Sequence, residues 1–286
     1  MMQMLRTELK KALCNRMLLL SLLIGCILSL LHVWQIQGDV SPLVQDMKNM
    51  LNYDPNYAVS FDGVSLFIHW MAHSFLELGS SIFYFIWPLL AAIPYGCSYY
   101  QDRKSGLFNQ MVSRCSVKQY YFSKFMAAFV SGGIVVSIPV LLNLLVNALF
   151  LPAIKPNPGL PLYLIQNGQA FSALYYTHPW LHGLLWCGLD FLWGDIAAGL
   201  CFLFGSRPRH PVVILTTPFL LMMLSDSVIM LTRHGLGIRE QFSPLQMAAS
   251  CSASSFSTET LLIAMGSLLV LGFSVGYWQV VKHELA

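Results

Sequence analysis

The strongest constraint on this chain is the length of its apolar runs. Met17 to Trp34 carries no charged residue and is followed by further stretches of similar character. About 20 consecutive apolar residues are needed for a helix to cross ~30 Å of hydrocarbon. A water-soluble fold of 286 residues has no use for several such runs, and the composition agrees: 56% apolar, 10% charged, mean hydropathy +0.61. Soluble domains carry roughly a quarter charged residues. Membrane β-barrel strands alternate in hydrophobicity, so continuous runs exclude a barrel. The expectation is an all-α polytopic membrane protein, a single transmembrane domain over residues 1–286.

Taken in order, residues 1–16 place Met4, Leu5, Leu9, Ala12 and Leu13 on a helical period, with Arg6, Lys10, Lys11 and Arg16 opposite. This suits an amphipathic interface helix lying on anionic lipid. The following run is too long for a signal-peptide core and lacks a small-residue cleavage site, so it is read as a retained first span. Six spans are expected, over about 17–37, 80–97, 121–151, 183–204, 211–231 and 260–281. Gly38 to Ser60 reads as a polar connection broken at Pro42 and Pro55, and Phe61 to Gly79 as a helical segment on the outer face. Gly205 to His210 reads as a tight basic turn.

Placing both termini, the Tyr99–Lys124 stretch and the Arg207/Arg209 turn in the cytosol puts twelve of the sixteen Lys+Arg inside, leaving Lys48, Lys155, Arg233 and Arg239 outside. That bias satisfies the positive-inside rule. The formal charge of +3 therefore reports topology. No nucleic-acid motif is present, and no nucleic-acid partner is expected. The seven cysteines are scattered singly without a CxxC, so neither a disulfide framework nor a zinc site is indicated.

Two sets of polar residues could carry chemistry within or beside the membrane. His69, His73 and Glu77 are spaced to share one face if they lie on one helix, a possible zinc set or a polar stripe. Asp190, Asp195 and Asp226 are ionisable groups inside apolar runs, which defaults to a proton, ion or cationic-substrate role. Asp190 and Asp195, five apart, do not share a helix face well. Enzymatic motifs are sparse: none of the twenty glycines precedes a lysine, so there is no Walker A loop. There is likewise no GxSxG and no HExxH. Trp193-Gly194-Asp195 lacks the glycine pair of the GxGD proteases.

The remaining feature is the interval Tyr99 to Lys124, the one long basic stretch between apolar runs. It holds Arg103, Lys104, Arg114, Lys118 and Lys124 against a single acid, Asp102. It reads as a helix leaving the membrane, a break at Ser105–Gly106, an exposed apolar turn (Leu107, Phe108, Met111, Val112), and a second helix re-entering from an N-cap at Ser116. Such an elbow presents an apolar knob ringed by cations.

With Asp102, Ser105, Gly106, Leu107, Met111, Arg114, Ser116, Tyr120 and Lys124 as they stand, this stretch resembles the second-to-third-span connection of type-2 ABC exporter permeases. The N-terminal LRTELKKAL resembles the interface helix of that family. Residue-level likeness covers 1–16 and 94–125; the remainder is likeness of topology, and the long first outer connection departs from the family pattern. The resemblance implies a multi-pass permease subunit in a cell membrane, expected in a bacterium, dimeric with a second copy or a sister permease. The elbow would act as a coupling helix seated on a separate ATPase, which would bind ATP and Mg; this chain would hold no cofactor and no catalytic residue. Read without the resemblance, the residues leave open a stand-alone membrane-embedded enzyme or ion-translocating protein using Asp195 or the His69/His73/Glu77 set.

Overall fold

In the computed structural model, residues 2–53, 62–74, 77–159, 165, 168–203, 210–236, 243–250 and 256–284 are described. Among them the fold is all helix: α1 (Met2–Leu13), α2 (Arg16–Tyr53), α3 (Leu66–His69), α4 (Leu78–Ala92), α5 (Ser98–Lys104), α6 (Leu107–Val112), α7 (Val117–Phe150), α8 (Ser172–Thr177), α9 (Pro179–Leu200), α10 (Pro211–Leu236), α11 (Pro244–Met247) and α12 (Thr258–Glu284). Five helical segments are long and apolar enough to cross a bilayer: Arg16–Tyr53, Val117–Phe150, Pro179–Leu203, Pro211–Ile229 and Thr258–Trp278.

The expected second span is the exception. Its helix covers 15 residues, about 22 Å of rise, and gives way at 93–97 to a turn containing Pro94, which lacks the N–H that a continuing helix requires. The first outer connection also differs from expectation. Residues 38–53 continue α2 as helix through Pro42. Proline there removes a hydrogen bond to the carbonyl of Gly38, and the hydroxyl of Ser41 donates to that carbonyl at 3.4 Å instead. The basic turn with Arg207 and Arg209 lies outside the described residues, as do Asp54, Pro55 and Arg239.

Burial is arranged for a bilayer. Leu19, Leu20, Leu23, Ile27 and Leu30 of α2 face outward, as do Leu220 and Leu224 of α10 and Leu262, Ile263 and Val270 of α12. An apolar exterior of this extent suits lipid rather than water. The interior is close-packed where small residues let helix backbones approach, the usual device in membranes. α7 and α9 meet at Gly132 and Gly194: a Cβ on either would stand 2.5 Å from the other's carbonyl oxygen. Gly25 of α2 makes room for the Pro139 ring of α7, and Gly79 of α4 lies directly on the α2 backbone at Leu28 and His32.

A buried amide ties three segments together inside this packing. Asn143 of α7 donates through Nδ2 to the Ser29 carbonyl (2.9 Å) and lies 3.0 Å from His32 Nδ1. Its Oδ1 accepts from Met71 N–H (3.0 Å) and from Asn147 Nδ2 (2.9 Å). Without water, polar groups must find such partners internally.

Gly194→Val should splay α7 from α9 and cost about 1–3 kcal/mol or more, as overpacking does. The check is a thermal unfolding midpoint in detergent. Gly188→Ala on the same helix, where an added Cβ meets nothing within 4 Å, should leave the midpoint unchanged or raise it.

Candidate functional site

The chain leaves α4 at Ala92, turns at 93–97, runs through α5, reverses at Ser105–Gly106, and re-enters α7 after α6. Gly106 makes the reversal possible. Its backbone is left-handed (φ 76°), while its side-chain space is open, so the requirement is conformational rather than steric. Its N–H donates to the Arg103 carbonyl at 3.2 Å, and Ser105 Oγ donates to the Asp102 carbonyl at 3.2 Å. Ser116 caps α7 by accepting from Gln119 N–H.

Behind the elbow lies a buried charge cluster. Lys124 is 1% exposed. Its ammonium sits 2.9 Å from Glu8 Oε2 of α1 and 2.8 Å from Asp102 Oδ2 of α5. Tyr120, one turn earlier on α7, donates its hydroxyl to Asp102 Oδ2 at 2.7 Å. Tyr95 donates to Glu8 Oε2, and Lys11 reaches Glu8 Oε1 at 2.8 Å. The ammonium also lies 5.2 Å from the centre of the Tyr95 ring and 5.6 Å from that of Tyr120. With Lys11 at the rim, two carboxylates face two ammonium groups, so the cluster is neutral. Burial raises the Glu8 pKa, but Lys124 and the hydrogen bonds from Lys11, Tyr95 and Lys124 outweigh it and hold the carboxyl below its ordinary value.

The apolar residues of the elbow fold back rather than project. Phe108 packs on Tyr99 (5.8 Å between ring centres) and on Tyr120 (5.3 Å), and the Arg103 guanidinium lies 5.9 Å from the Phe108 ring centre. Leu107, Met111 and Val112 are half-buried, whereas Arg103, Lys104, Arg114, Ser116 and Lys118 are exposed. The expected exposed knob is thus a half-buried turn with a cationic rim.

Of the residues singled out in the elbow, the structure joins Asp102, Tyr120 and Lys124 directly. Ser105 and Gly106 form the bend, and Arg114 and Ser116 mark the passage from α6 into α7. Glu8 and Tyr95 were not anticipated. A signal for Glu8 existed: it lies between Met4 and Ala12 at four-residue steps, on the face that α1 buries against α7. An acid in that row calls for a buried cation.

The other expected set does not assemble. His69 ends α3, Trp70 is extended (ψ 140°), His73 ends a separate 3₁₀ turn, and Glu77 follows a further extended residue at Ser74. The one-face spacing needs a continuous helix, which Trp70 and Ser74 interrupt. His69 Nε2 lies 2.9 Å from the Gly63 carbonyl, and His73 Nδ1 lies 2.7 Å from that of Phe67. Glu77 accepts from Ser74 Oγ and lies 3.6 Å from His32 Nε2. Burial raises the Glu77 pKa, but the His32 and Ser74 hydrogen bonds prevail and bring it to about 2. Burial takes His73 down to about 3. Among the described residues no three His, Cys, Asp or Glu side chains converge as a metal site.

Asp190 and Asp195 are fully buried in α9 on different faces, Asp190 beside Tyr84 of α4 and Asp195 against Gly133 of α7. Asp226 is half-buried and is met by Gln246 Nε2 at 3.4 Å. No family model matches the sequence, and comparison with curated proteins and with solved structures returned no match.

Lys124→Met should cost about 3–5 kcal/mol, since it leaves the Glu8 and Asp102 carboxylates without their buried cation. Thermal unfolding in detergent measures this, and adding Glu8→Gln should recover part of the loss. Because the Glu8 pKa is lowered by folding, its stabilisation is complete above 4.5, its ordinary value. It is lost as pH falls through the lower folded value. The Glu8→Gln variant should lack this component of the acid-side decline in midpoint.

Proposed function

We propose that this membrane-embedded helical protein is the permease subunit of an ATP-driven transporter of the type-2 ABC exporter kind. The observation that carries the reading is the elbow's attachment. A helix–Gly106–helix reversal is joined through Asp102 and Lys124 to both the first helix and the long α7. A partner pushing on the elbow's cationic rim would therefore move α7, and with it α9 through the Gly132–Gly194 contact.

In this reading a separate ATPase supplies ATP and Mg chemistry, docking against Arg103, Lys104, Arg114 and Lys118. Leu107 and Met111 shape the turn rather than plug into a cleft, being half-buried already. A second permease copy or a sister chain completes the pathway, with export as the direction. The termini and the elbow share the cytosolic side, as the charge bias of the sequence favours.

The test is recovery of partners from detergent-solubilised native membranes with the tagged chain. An ATPase carrying a Walker motif should co-purify with the native protein. Recovery should fall about tenfold for Arg114→Glu, a change from attraction to repulsion at a charged interface, and for Gly106→Val, where a β-branched residue is forced into the left-handed region. Both variants should remain in the membrane at normal level. Purification of the native chain without any ATPase would overturn the assignment.

A further inference from the structure

The seam between α4 and α9 concentrates buried polar atoms that have no partner among the described residues. His182, Trp186, Asp190 and Trp193 recur at helical spacing along one buried face of α9. They are met by His73 and Tyr175 at one end and by Tyr84 and Trp87 of α4 below. The contacts fall in successive groups along the face, with the Trp186 indole N–H donating to the Ala248 carbonyl at 2.8 Å. His73 and His182 have ring centres 5.4 Å apart, His182 stacks on Trp186 at 5.5 Å, Tyr84 hydroxyl reaches Asp190 Oδ2 at 3.4 Å, and Trp87 and Trp193 lie 6.2 Å apart.

Along this face His73 Nε2, both ring nitrogens of His182, Asp190 Oδ1, and the indole nitrogens of Trp87 and Trp193 are buried without a hydrogen-bond partner among the described residues. Folded proteins leave only a few per cent of such groups unpaired. On α9 these groups span the twelve residues from 182 to 193, about 16 Å of helix rise, from the end of the bundle opposite the elbow toward its middle.

The chemistry at the inner part of the seam is restrictive. Asp190 is fully buried in a spanning helix, and no cation pairs with it among the described residues. The ionisable side chains recorded against it are Tyr84 across the seam and Cys187 on its own helix. Neither supplies positive charge. An isolated carboxylate is too costly in such surroundings, and the group carries a proton instead. His73 donates its Nδ1–H to the Phe67 carbonyl, which leaves Nε2 as an acceptor on a ring 5.4 Å from that of His182.

We propose that Asp190 is a proton-binding site, loaded and unloaded from the end of the bundle opposite the elbow through the α9 face that bears Trp186 and His182, with His73 at its mouth. The site binds a proton whether or not an ATPase docks at the elbow.

Infrared spectroscopy of the purified full-length protein in liposomes tests this. At neutral pH a carboxylic-acid C=O band should be present. It should move on aspartate 4-¹³C labelling of the native protein, lose a component in Asp190→Asn and keep that component in Asp195→Asn. In D₂O it should downshift as the proton exchanges. His182→Phe, which keeps an aromatic ring but removes both nitrogens, should slow that exchange by about tenfold or more. The ¹³C result on unmutated protein, together with Asp195→Asn, stands even where Asp190→Asn fails to insert. Absence of an aspartyl acid band at neutral pH would overturn the site, as would loss of that component in Asp195→Asn. Exchange unchanged in His182→Phe would overturn the route.

Discussion

The ammonium of Lys124 cannot be buried at the membrane edge without countercharge, and the fold supplies it from two segments distant in sequence. Glu8 comes from the first helix and Asp102 from the elbow; Tyr95 and Tyr120 fill the remaining acceptor sites. Replacing such a cluster by apolar groups could be equally stable, but removing one member is costly because the others stay buried. Three segments that would otherwise be separate attachments to the bundle are therefore obliged to move together. The N-terminal helix is held to the start of α7, and the elbow is held to both.

Beyond this junction the molecule treats its polar groups in two ways. The Asn143 amide is itself fully engaged: it closes bonds to Ser29, Met71 and Asn147 and lies against His32. That arrangement fixes α2, α7 and the 66–73 segment in one register. Along the α4–α9 seam, atoms of His182, Asp190, Trp87 and Trp193 have no partner among the described residues, although Trp186 donates its indole N–H to the Ala248 carbonyl. The Asn143 amide has a structural role, and Asp190 on the seam has the chemistry of a site that takes up and releases a proton.

How much of this could be read from the residues depends on the range of the interaction involved. The long helices were legible because bilayer thickness imposes a run length, and the observed bounds 117–150, 179–203 and 211–229 lie close to those expected. The end of α4 was not legible because apolar character continues past Ala92, where the helix gives way to the turn containing Pro94. The 66–77 segment was misjudged because its breaks, at Trp70 and Ser74, carry no glycine or proline to announce them. Within the candidate site, Asp102, Tyr120 and Lys124 were accessible through motif resemblance and helical spacing. Glu8 was passed over because its partner lies 116 positions away, and only the fold makes that a distance of 2.9 Å. Asn143 was silent for the same reason.

The paired glycines of α7 connect these two parts of the molecule. Gly132 is small because the backbone of Gly194 lies against it; Gly133 is small because the carboxyl of Asp195 occupies the place of its Cβ. Successive residues on a helix are about 100° apart, so Asp195 is turned about 140° from Asp190. It therefore faces α7 while Asp190 faces α4. Sliding α7 along α9 would change the surroundings of Asp195 directly and leave those of Asp190 to α4. Since α7 is also the helix that Lys124 ties to the elbow, force applied there is delivered first to the Gly132–Gly194 contact and the carboxyl beside it. The geometry thus separates a carboxyl packed against α7 from one that faces the polar seam, on a single helix and five residues apart.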